Sequence, residues 1–318
     1  MDEVDRKLLY YLDADSRSPV KTIASKIGEK SEKINYRLKR LLREKIILRF
    51  HPEVNPWKIG YTSFKVYFQF QGVDREKIEE MYHYLLENCN VGWAASCLGR
   101  WDMIVEILAK DRHEFAKFYS KFHSRYYEYI LSKVVGVSIE LMFTNKKWLA
   151  PQIGEPRASN MIGIPEMLVD EKDIKIIRYL VNNGRDPVKT IAQKLRMPPT
   201  TISQRIGNLV KRGVIANFRI DIDLRKFNRV YCKSFIYFSK GDDKEVRKLF
   251  DYCVGHPDII YVTKCIAPWD MEIEAHTHSF NEFTDLMNDI HKRFPDVVRN
   301  FEAVVINKET GELCLPPE

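Results

Sequence analysis

A tandem repeat constrains the fold of this chain more than any other feature of its sequence. The residues from Arg17 to Ala24 read RSPVKTIA, and those from Arg185 to Ala192 read RDPVKTIA, at an offset of 168 positions. The same offset carries Trp101-Asp102-Met103 onto Trp269-Asp270-Met271, so no gap is needed between these two points. Such a repeat is the signature of a duplicated structural unit, and it predicts that the 318 residues form two copies of one architecture.

The first part of each copy predicts a winged helix-turn-helix domain. In copy one a first helix carries an apolar stripe, a short second helix spans 20–27, and a turn follows. A third helix then places Ile34, Leu38 and Leu41 at positions i, i+4 and i+7, which lie on one face. A strand over 46–50 comes next, and copy two repeats this order. Helix, short helix, turn, helix and hairpin is the order typical of this domain.

The second part of each copy alternates strands and helices. The pattern predicts elements at 64–71, 75–86, 91–98, 103–109, 113–126 and 133–143 in copy one, and at 234–238, 244–253, 259–265, 271–275, 280–294 and 297–306 in copy two. The order βαββαβ is typical of a ferredoxin-like domain, an antiparallel sheet with two helices on one face. After the last helix, Asn145-Lys146 and Asn307-Lys308 correspond at an offset of 162, which predicts about six extra residues in copy one.

These patterns together predict an α+β fold with four domains in tandem. The boundaries are a winged helix-turn-helix domain at 1–58, a ferredoxin-like domain at 59–149, a linker at 150–168, a second winged helix-turn-helix domain at 169–226 and a second ferredoxin-like domain at 227–318. The linker is predicted because its residues are rich in Pro, Gly and Ser and show no periodicity.

The distribution of charge indicates two sites that face a polyanion. The chain carries 51 Lys and Arg against 44 Asp and Glu, a net charge of +7. The segments 20–50 and 188–226 each carry a local charge of +7, so the rest of the chain is acidic. No apolar run approaches the length of a membrane span, no secretory leader is visible, and the six cysteines form no Cys-x-x-Cys pair. We therefore expect a soluble cytoplasmic protein with no metal site, no cofactor and no membrane partner.

Several motifs resemble the Lrp/AsnC family, the feast/famine regulators. The resemblance rests on Val4-Asp5-Arg6-Lys7-Leu8-Leu9, on the third-helix pattern Ser31-x-x-Ile34-x-x-Arg37 and on the turn Gly99-Arg100-Trp101-Asp102, and it extends over both copies. It implies an N-terminal winged helix that binds DNA and a C-terminal ligand-sensing domain of the RAM type. It also implies self-association through the RAM-type domains, within one chain as a pseudo-dimer, between chains, or both.

The resemblance further implies a small effector, commonly an amino acid, at interfaces near the Gly-x-x-Asp turn. The residues expected to bind it are Gly99, Arg100, Trp101, Asp102 and Asp270. Copy two reads Ala267-Pro268-Trp269-Asp270 and lacks the glycine, so copy one is the better candidate. The alternative is that both aspartates are turn residues that accept backbone N–H groups, and that both tryptophans serve packing.

The third helix of a helix-turn-helix enters the major groove with its outward-facing residues. The expected DNA contacts are Lys33, Asn35, Tyr36, Lys39, Arg40 and Arg49 in copy one, and Thr200, Thr201, Ser203, Gln204, Asn208, Arg212 and Arg219 in copy two. Gln and Asn pair with adenine, and Lys or Arg with guanine. Arg49, His51 and Arg219 lie on the strands that follow, where contacts to phosphate are expected.

Two arginines of the third helices have two interpretations. Arg37 and Arg205 lie three residues beyond a core isoleucine and coexist with Asp5 and Asp173 on the first helices. Each can contact a phosphate, or each can form an ion pair that braces the first helix against the third. The sequence leaves both interpretations open.

The leading interpretation is a sequence-specific transcriptional regulator that binds double-stranded DNA and is not an enzyme. Siroheme decarboxylases, which resemble the same family and use a His-rich strand, are the enzymatic alternative. The corresponding segments 91–99 and 259–269 contain no histidine, which disfavours that reading. A sequence-neutral, chromatin-like DNA-binding protein is a third possibility. Because the outward residues of the two recognition helices differ, pairing of the copies within one chain predicts an asymmetric operator.

Overall fold

The computed structural model describes residues 1–87, 91–154, 158–239 and 242–309. Copy one contains α1 (Glu3–Ala14), α2 (Val20–Ile27), α3 (Ser31–Arg43), β1 (Ile47–Val54), β2 (Thr62–Phe70), α4 (Arg75–Leu86), β3 (Val91–Gly99), β4 (Met103–Ala109), α5 (Arg112–Tyr126) and β5 (Ile130–Thr144). After β6 (Ala158–Ile162), copy two contains α6 (Glu171–Asn182), α7 (Val188–Leu195), α8 (Pro199–Lys211), β7 (Ile215–Ile222), β8 (Val230–Phe238), α9 (Asp243–Gly255), β9 (Ile259–Ile266), β10 (Met271–Thr277), α10 (Phe280–Arg293) and β11 (Val298–Glu309). None of the helices in these ranges is long and apolar enough to cross a membrane.

The offset of 168 residues holds from the first helix to the last strand. In copy one Phe64 pairs with Val137, and in copy two Cys232 pairs with Val305, so both members of the pair move by the same offset. The offset of 162 expected for the last strands is therefore wrong. The Asn-Lys dipeptides that suggested it do not occupy equivalent positions, and the last strands of the two copies run in the same register.

Each winged-helix domain begins with a capped helix. The carboxylate of Asp2 accepts the backbone N–H of Asp5 at 2.9 Å, and Asp170 accepts that of Asp173 at the same distance. Such capping boxes satisfy N–H groups that the first helical turn leaves without partners. α8 opens with Pro199, whose fixed backbone angle suits a first helical position.

The strand after each recognition helix does not fold into a hairpin within its own copy. β1 pairs with β7 in antiparallel fashion, with Phe50 opposite Ile220, and the two strands form a ribbon between the copies. α1 packs on β7, and α6 packs on β1, so each strand supports the other copy. The hairpin expected from the sequence is replaced because the duplicated strand supplies the partner that an unpaired edge needs.

The two ferredoxin-like domains close into one β-barrel. The strand order is β5-β2-β4-β3 in copy one and β11-β8-β10-β9 in copy two. β3 pairs with β11 and β9 pairs with β5, which closes a ring of eight antiparallel strands. Side chains alternate along each strand, so Tyr67 and Phe235 fill the barrel while Val66 and Phe68 pack in a separate outer core with residues of α4 and α5.

The segment between the copies contributes a strand to the same sheet. β6 pairs with the second half of β5, with Met161 opposite Leu141. The pairing of β2 with β5 extends only to Val137, so the rest of that edge of β5 is open to another strand. The sequence shows no periodicity here, and the strand forms because an edge is available rather than because its own pattern demands it.

Candidate nucleic-acid interface and barrel cavity

Reciprocal contacts join the two helix-turn-helix domains around a pseudo-twofold axis. The guanidinium of Arg17 donates to the carbonyl oxygens of Gly184 at 2.7 Å and Asp186 at 3.1 Å. Arg185, its counterpart 168 residues later, donates to the carbonyl oxygen of Ser18 at 3.1 Å. An interface in which each half makes the same contact to the other is the geometry of a symmetric dimer. The two copies therefore pair within one chain.

Ion pairs brace both recognition helices, α3 and α8, against the first helices. Arg37 Nη1 lies 2.8 Å from Asp5 Oδ1, and Arg205 Nη1 lies 2.7 Å from Asp173 Oδ1. Of the two interpretations left open by the sequence, the structure shows the ion pair. Arg40, expected at the DNA, also turns its guanidinium to the carboxylate of Asp5. These bonds fix the angle at which each recognition helix leaves its domain.

The other outward side chains of the recognition helices face solvent. The copy-one reading face consists of Lys33, Asn35, Tyr36 and Lys39, all exposed, and the copy-two reading face consists of Thr200, Ser203, Gln204, Asn208 and Arg212, also exposed, with Thr201 half-buried. Lys33 is paired with Glu29 at 2.6 Å, and Arg212 donates to the carbonyl oxygen of Leu168. The copy-two face contains no carboxylate, whereas Glu29 and Glu32 lie beside the copy-one face.

The basic residues expected at phosphates on β1 and β7 are engaged inside the protein. Arg219 is 1% exposed, and its Nη2 lies 3.1 Å from Asp13 Oδ2. The expected DNA contact of Arg219 is therefore wrong, because pairing of β7 with β1 turns this side chain into the interior. Arg49 and His51 pair with Asp221 at 2.7 and 3.1 Å and lie between the ribbon and the barrel.

The Asp13 cluster, formed by Asp13, Lys146 and Arg219, connects three elements of the chain. The buried carboxylate of Asp13 accepts hydrogen bonds from Lys146 Nζ at 2.8 Å and from the backbone N–H of Lys146 at 2.6 Å, in addition to its bonds from Arg219. Burial alone would raise the pKa of Asp13, but Arg219 and Lys146 outweigh it and hold that pKa well below its usual range. The counterparts of Asp13 and Arg219 in the other copy are Val181 and His51, so only one side of the molecule has this cluster.

The Gly-x-x-Asp turn of copy one and the equivalent turn at 267–270 of copy two are part of the interface between the copies. Asp102 and Asp270 each accept a backbone N–H at 2.7 Å, from the ends of β2 and β8. Trp101 is 1% exposed inside the barrel, and Arg100 forms an ion pair with a glutamate of β11. A Cβ on Gly99, whose φ is +134°, would lie 3.0 Å from a carbonyl oxygen of β11, so the close approach of the copies requires this glycine.

The cysteines of the described ranges are buried fillers. Cys97, Cys232, Cys253 and Cys265 are buried and form no disulfide. Burial raises the pKa of Cys97 to about 12, so its thiol stays protonated at neutral pH. Within the ranges described, no three His, Cys, Asp or Glu side chains are arranged to hold a metal ion.

A cavity of about 520 Å³ lies between the β1–β7 ribbon and the near end of the barrel. Its charged lining comprises Arg49, Lys65 and Lys146 against Glu53, Glu106, Asp221, Glu274 and Glu309, and its aromatic lining comprises Trp57, Trp93, Tyr231 and Tyr261. His276 also lines it, and burial, with Lys146 and Arg229 behind it, holds the pKa of His276 well below its usual range. The ring is therefore neutral at neutral pH. The lining combines apolar and charged groups, and three of its carboxylates are paired with cations: Asp221 with Arg49, Glu53 with Arg219 and Glu274 with Lys233.

Sequence reasoning did not propose this cavity. The available signal was a repeated charge pattern within strands: Lys65 and Lys233, like Glu106 and Glu274, are related by the 168-residue offset and alternate with apolar neighbours. Charged residues at inward positions of a strand are unusual and indicate a polar interior. The histidines that line the cavity come from β1 and β10, outside the segments 91–99 and 259–269.

Comparisons with known proteins agree with this architecture. Residues 1–42 match the AsnC-type helix-turn-helix domain, and residues 169–216 match a winged helix-turn-helix DNA-binding domain. The HTH-type transcriptional regulator FL11 of Pyrococcus horikoshii is 29% identical over 150 residues, which cover 46% of this chain and 95% of that protein. An uncharacterized HTH-type transcriptional regulator of Pyrococcus abyssi is 30% identical over 118 residues, 36% of this chain and 77% of that protein. Each relative therefore corresponds in length to about one copy.

A solved structure resembles the whole chain. The siroheme decarboxylase NirDL superposes with a TM-score of 0.63 at 14% identity and covers 100% of this chain and 93% of its own. At this identity the likeness concerns the fold alone. The family assignment rests on the two helix-turn-helix matches, on the relatives and on the paired winged-helix and ferredoxin-like domains. The chain belongs to the Lrp/AsnC family of DNA-binding transcriptional regulators, with two family units in one polypeptide.

Proposed function

We propose that this chain recognises a specific, asymmetric DNA site through two unlike reading faces. The observation that carries the proposal is the difference between these faces on a scaffold that is otherwise pseudo-symmetric. Lys33 and Asn35 of copy one correspond to Thr201 and Ser203 of copy two, and Gln204 replaces Tyr36. Bidentate side chains such as Gln and Asn favour adenine, whereas Lys favours guanine, so the two faces would read different half-sites.

The bracing of the recognition helices supports sequence-specific reading. A side chain distinguishes bases only when its helix is held at a defined angle in the major groove. The ion pairs of Arg37 and Arg205 tie both helices to their own domains, and the reciprocal contacts of Arg17 and Arg185 tie the two domains to each other. A sequence-neutral DNA packer would need neither restraint, because phosphate contacts tolerate variation in helix angle.

Selection of bound sequences from random duplex DNA tests this proposal. The wild-type chain should select DNA sites that consist of two different half-sites, always in the same order and orientation relative to each other. Gln204→Ala should relax selection in one half-site and Lys33→Ala in the other, each by about 1–3 kcal/mol of discrimination at the affected base pair. Lys244→Ala, an exposed lysine of α9 outside the reading faces, is the matched control and should leave the selected sequence unchanged.

Three results would contradict the proposal. A perfect palindrome selected by a monomeric chain would contradict unlike half-sites. Unchanged motifs in both reading-face variants would contradict the assignment of α3 and α8 as readers. Equal affinity for selected and random duplex would favour the sequence-neutral alternative.

A small-molecule effector is the second part of the proposed function. We infer that an amino-acid-like molecule binds at RAM-domain interfaces between chains near Gly99 and Arg100, which are exposed at the turn. Light scattering of the purified chain with and without each of the twenty amino acids tests both the effector and assembly between chains. A mass that none of them changes, with Arg100→Ala indistinguishable from wild type, would remove this part of the proposal.

A tetrapyrrole enzyme is the second candidate, and the observation behind it is the pair of histidines that line the cavity of a chain with the NirDL fold. NirDL has also been solved in complex with an iron-uroporphyrin III analogue, a polycarboxylate. The barrel cavity contains His51 and His276, which could serve such chemistry. Its cations Arg49, Lys65 and Lys146 are already paired with Asp221, Glu272 and Asp13, which opposes a polycarboxylate ligand. Titration with iron-uroporphyrin III, followed by its visible absorption spectrum, separates the two candidates. A saturable shift that His276→Ala abolishes would show tetrapyrrole binding in this cavity and would support the second candidate.

A further inference from the structure

The barrel cavity has the size of a small-molecule site. Its volume of about 520 Å³ falls in the range of pockets that enclose ligands, and its walls combine aromatic rings with many charged and polar groups. It lies near the start of β3, whereas the Gly99–Asp102 turn follows the end of that strand. At about 3.3 Å per residue, the two regions are about 20 Å apart. The cavity is therefore separate from the expected effector turn.

A break in the pseudo-symmetry of the barrel changes the charge balance in this cavity. In copy two, Lys233 and Glu274 stand opposite each other on β8 and β10, and Lys233 Nζ lies 2.5 Å from Glu274 Oε1. Their counterparts Lys65 and Glu106 stand opposite each other in the same way on β2 and β4. The copy-one pair is not formed, because Lys65 Nζ bonds to Glu272 Oε2 at 2.8 Å instead.

The cause is one carboxylate present in only one copy. Glu272 is fully buried and occupies the position at which copy one has Ile104. Its carboxylate takes bonds from Lys65, from Lys233 at 2.7 Å and from the hydroxyl of Tyr67. Glu272 of copy two therefore binds Lys65 of copy one from across the barrel.

Glu106 is left without a cation. In the part of the chain that the structure describes, no Lys, Arg or His nitrogen lies within 4.0 Å of its carboxylate, and the hydroxyl of Ser63 donates to it. The side chain is half-buried and lines the cavity. A half-buried carboxylate bonded to a single hydroxyl is only partly compensated, so a ligand cation would gain a favourable interaction there.

Other polar groups of the cavity also lack partners. Thr263 and His276 are 1% and 5% exposed, and within the described residues Thr263 Oγ1 and His276 Nδ1 have no hydrogen-bond partner. Both line the same cavity. Buried polar groups without partners are uncommon in folded proteins, and a bound molecule, an ion or ordered water can satisfy them. Trp57 and Trp93 supply flat apolar walls between these polar positions.

We propose that the barrel cavity binds a small organic molecule whose ammonium group pairs with Glu106. The aromatic walls hold its apolar part, and Thr263 and His276 supply hydrogen bonds to its other polar atoms. The ligand lies between the barrel and the ribbon, on whose strands α1 and α6 pack. The site goes beyond DNA recognition and does not depend on it.

Isothermal titration calorimetry on the full chain without DNA tests the site. The probes are tryptamine, tyramine and L-tryptophan methyl ester, each against its N-acetylated counterpart, in which the only ammonium becomes a neutral amide. At least one amine should bind at sub-millimolar Kd, and its acetylated counterpart should bind at least tenfold more weakly. Glu106→Gln should weaken the amine at least tenfold, and Glu76→Gln, an exposed carboxylate on α4, should leave binding unchanged.

A second variant tests the site while Glu106 itself stays unchanged. Glu272→Ile gives copy two the residue that copy one has at this position, so Lys65 is released to pair with Glu106. This variant should lose amine binding although Glu106 itself is intact. Absence of binding by every amine, or equal binding by wild type and Glu106→Gln, overturns the proposal. Because no DNA is present, neither result bears on whether the chain reads DNA.

Discussion

Replacing Asp13 by Asn removes the only carboxylate of the Asp13 cluster while preserving its shape. Lys146, which is 7% exposed, would then face a neutral amide in place of its carboxylate partner, whereas Arg219, which is 1% exposed, would keep Glu53 at 3.4 Å. Breaking a buried ion pair by removing one partner costs about 3–5 kcal/mol, because the remaining charge stays uncompensated. The attachment of α1 to β7 and to the end of β5 should weaken by that amount.

Amide hydrogen exchange measured peptide by peptide is the appropriate assay, because a four-domain chain does not unfold in one two-state step. The opening free energy of α1 should fall by about 3–5 kcal/mol in Asp13→Asn, while that of α6 changes little, since Val181 stands at the equivalent position. The variant Asp13→Val/Lys146→Met/Arg219→Met replaces the whole cluster by apolar side chains. It should recover most of the loss, because apolar replacement of a complete buried ion pair is close to neutral.

The pH dependence supplies an independent check. The pKa of Asp13 is depressed in the folded protein, so the unfolded chain takes up a proton near pH 4 while the folded chain does not. The contribution of Asp13 is therefore complete above that pH and is lost as the pH falls. In Asp13→Asn, the opening free energy of α1 should therefore fall less steeply with decreasing pH than it does in the wild type. An opening free energy of α1 within about 0.5 kcal/mol of wild type would refute the role assigned to the cluster.

Three further changes test other parts of the molecule. Arg205→Ala should lower the free energy of unfolding of its domain by about 1–3 kcal/mol. The loss should exceed that of Arg37→Ala, because Asp5 keeps a second arginine, Arg40. Equal losses of free energy in urea denaturation would contradict this. Gly184→Ala should lower the Tm, since its Cβ would stand 2.7 Å from a backbone carbonyl of β1, whereas Gly207→Ala, with nothing within 4 Å, should not lower it. Stability should fall as the pH drops below about 6.5, since the depressed pKa of His276 keeps it neutral while the unfolded chain is protonated; His276→Gln should show a shallower fall.

Much of the local structure follows from the sequence because it depends on local patterns. The helix over 75–86 and the strand over 103–109 were predicted with the bounds that the structure has, since hydrophobic period and turn residues define both. Arg219 shows the limit of such reasoning. Its strand reads as a wing with a basic outer face, but pairing with the equivalent strand of the other copy buries it.

The cavity was beyond sequence reasoning for a similar reason. The charged strand residues could be read from the repeat, yet the partner of Lys65 depends on a residue 207 positions away in the other copy. No local rule decides between Glu106, directly across the strand pair, and Glu272, across the barrel. The choice is made by three-dimensional closure, which brings a second carboxylate within reach of the same lysine.

The closed barrel and the ribbon also determine how this protein behaves on dilution. A dimer of separate subunits dissociates when its concentration falls below its dissociation constant, so its stability depends on how much protein is present. Here the two halves are joined by the chain itself and cannot diffuse apart. Pairing of the copies is therefore independent of abundance, and a cell with very few molecules would still have the paired form. Each half is also free to acquire substitutions that the other half does not share, which a homodimer cannot do.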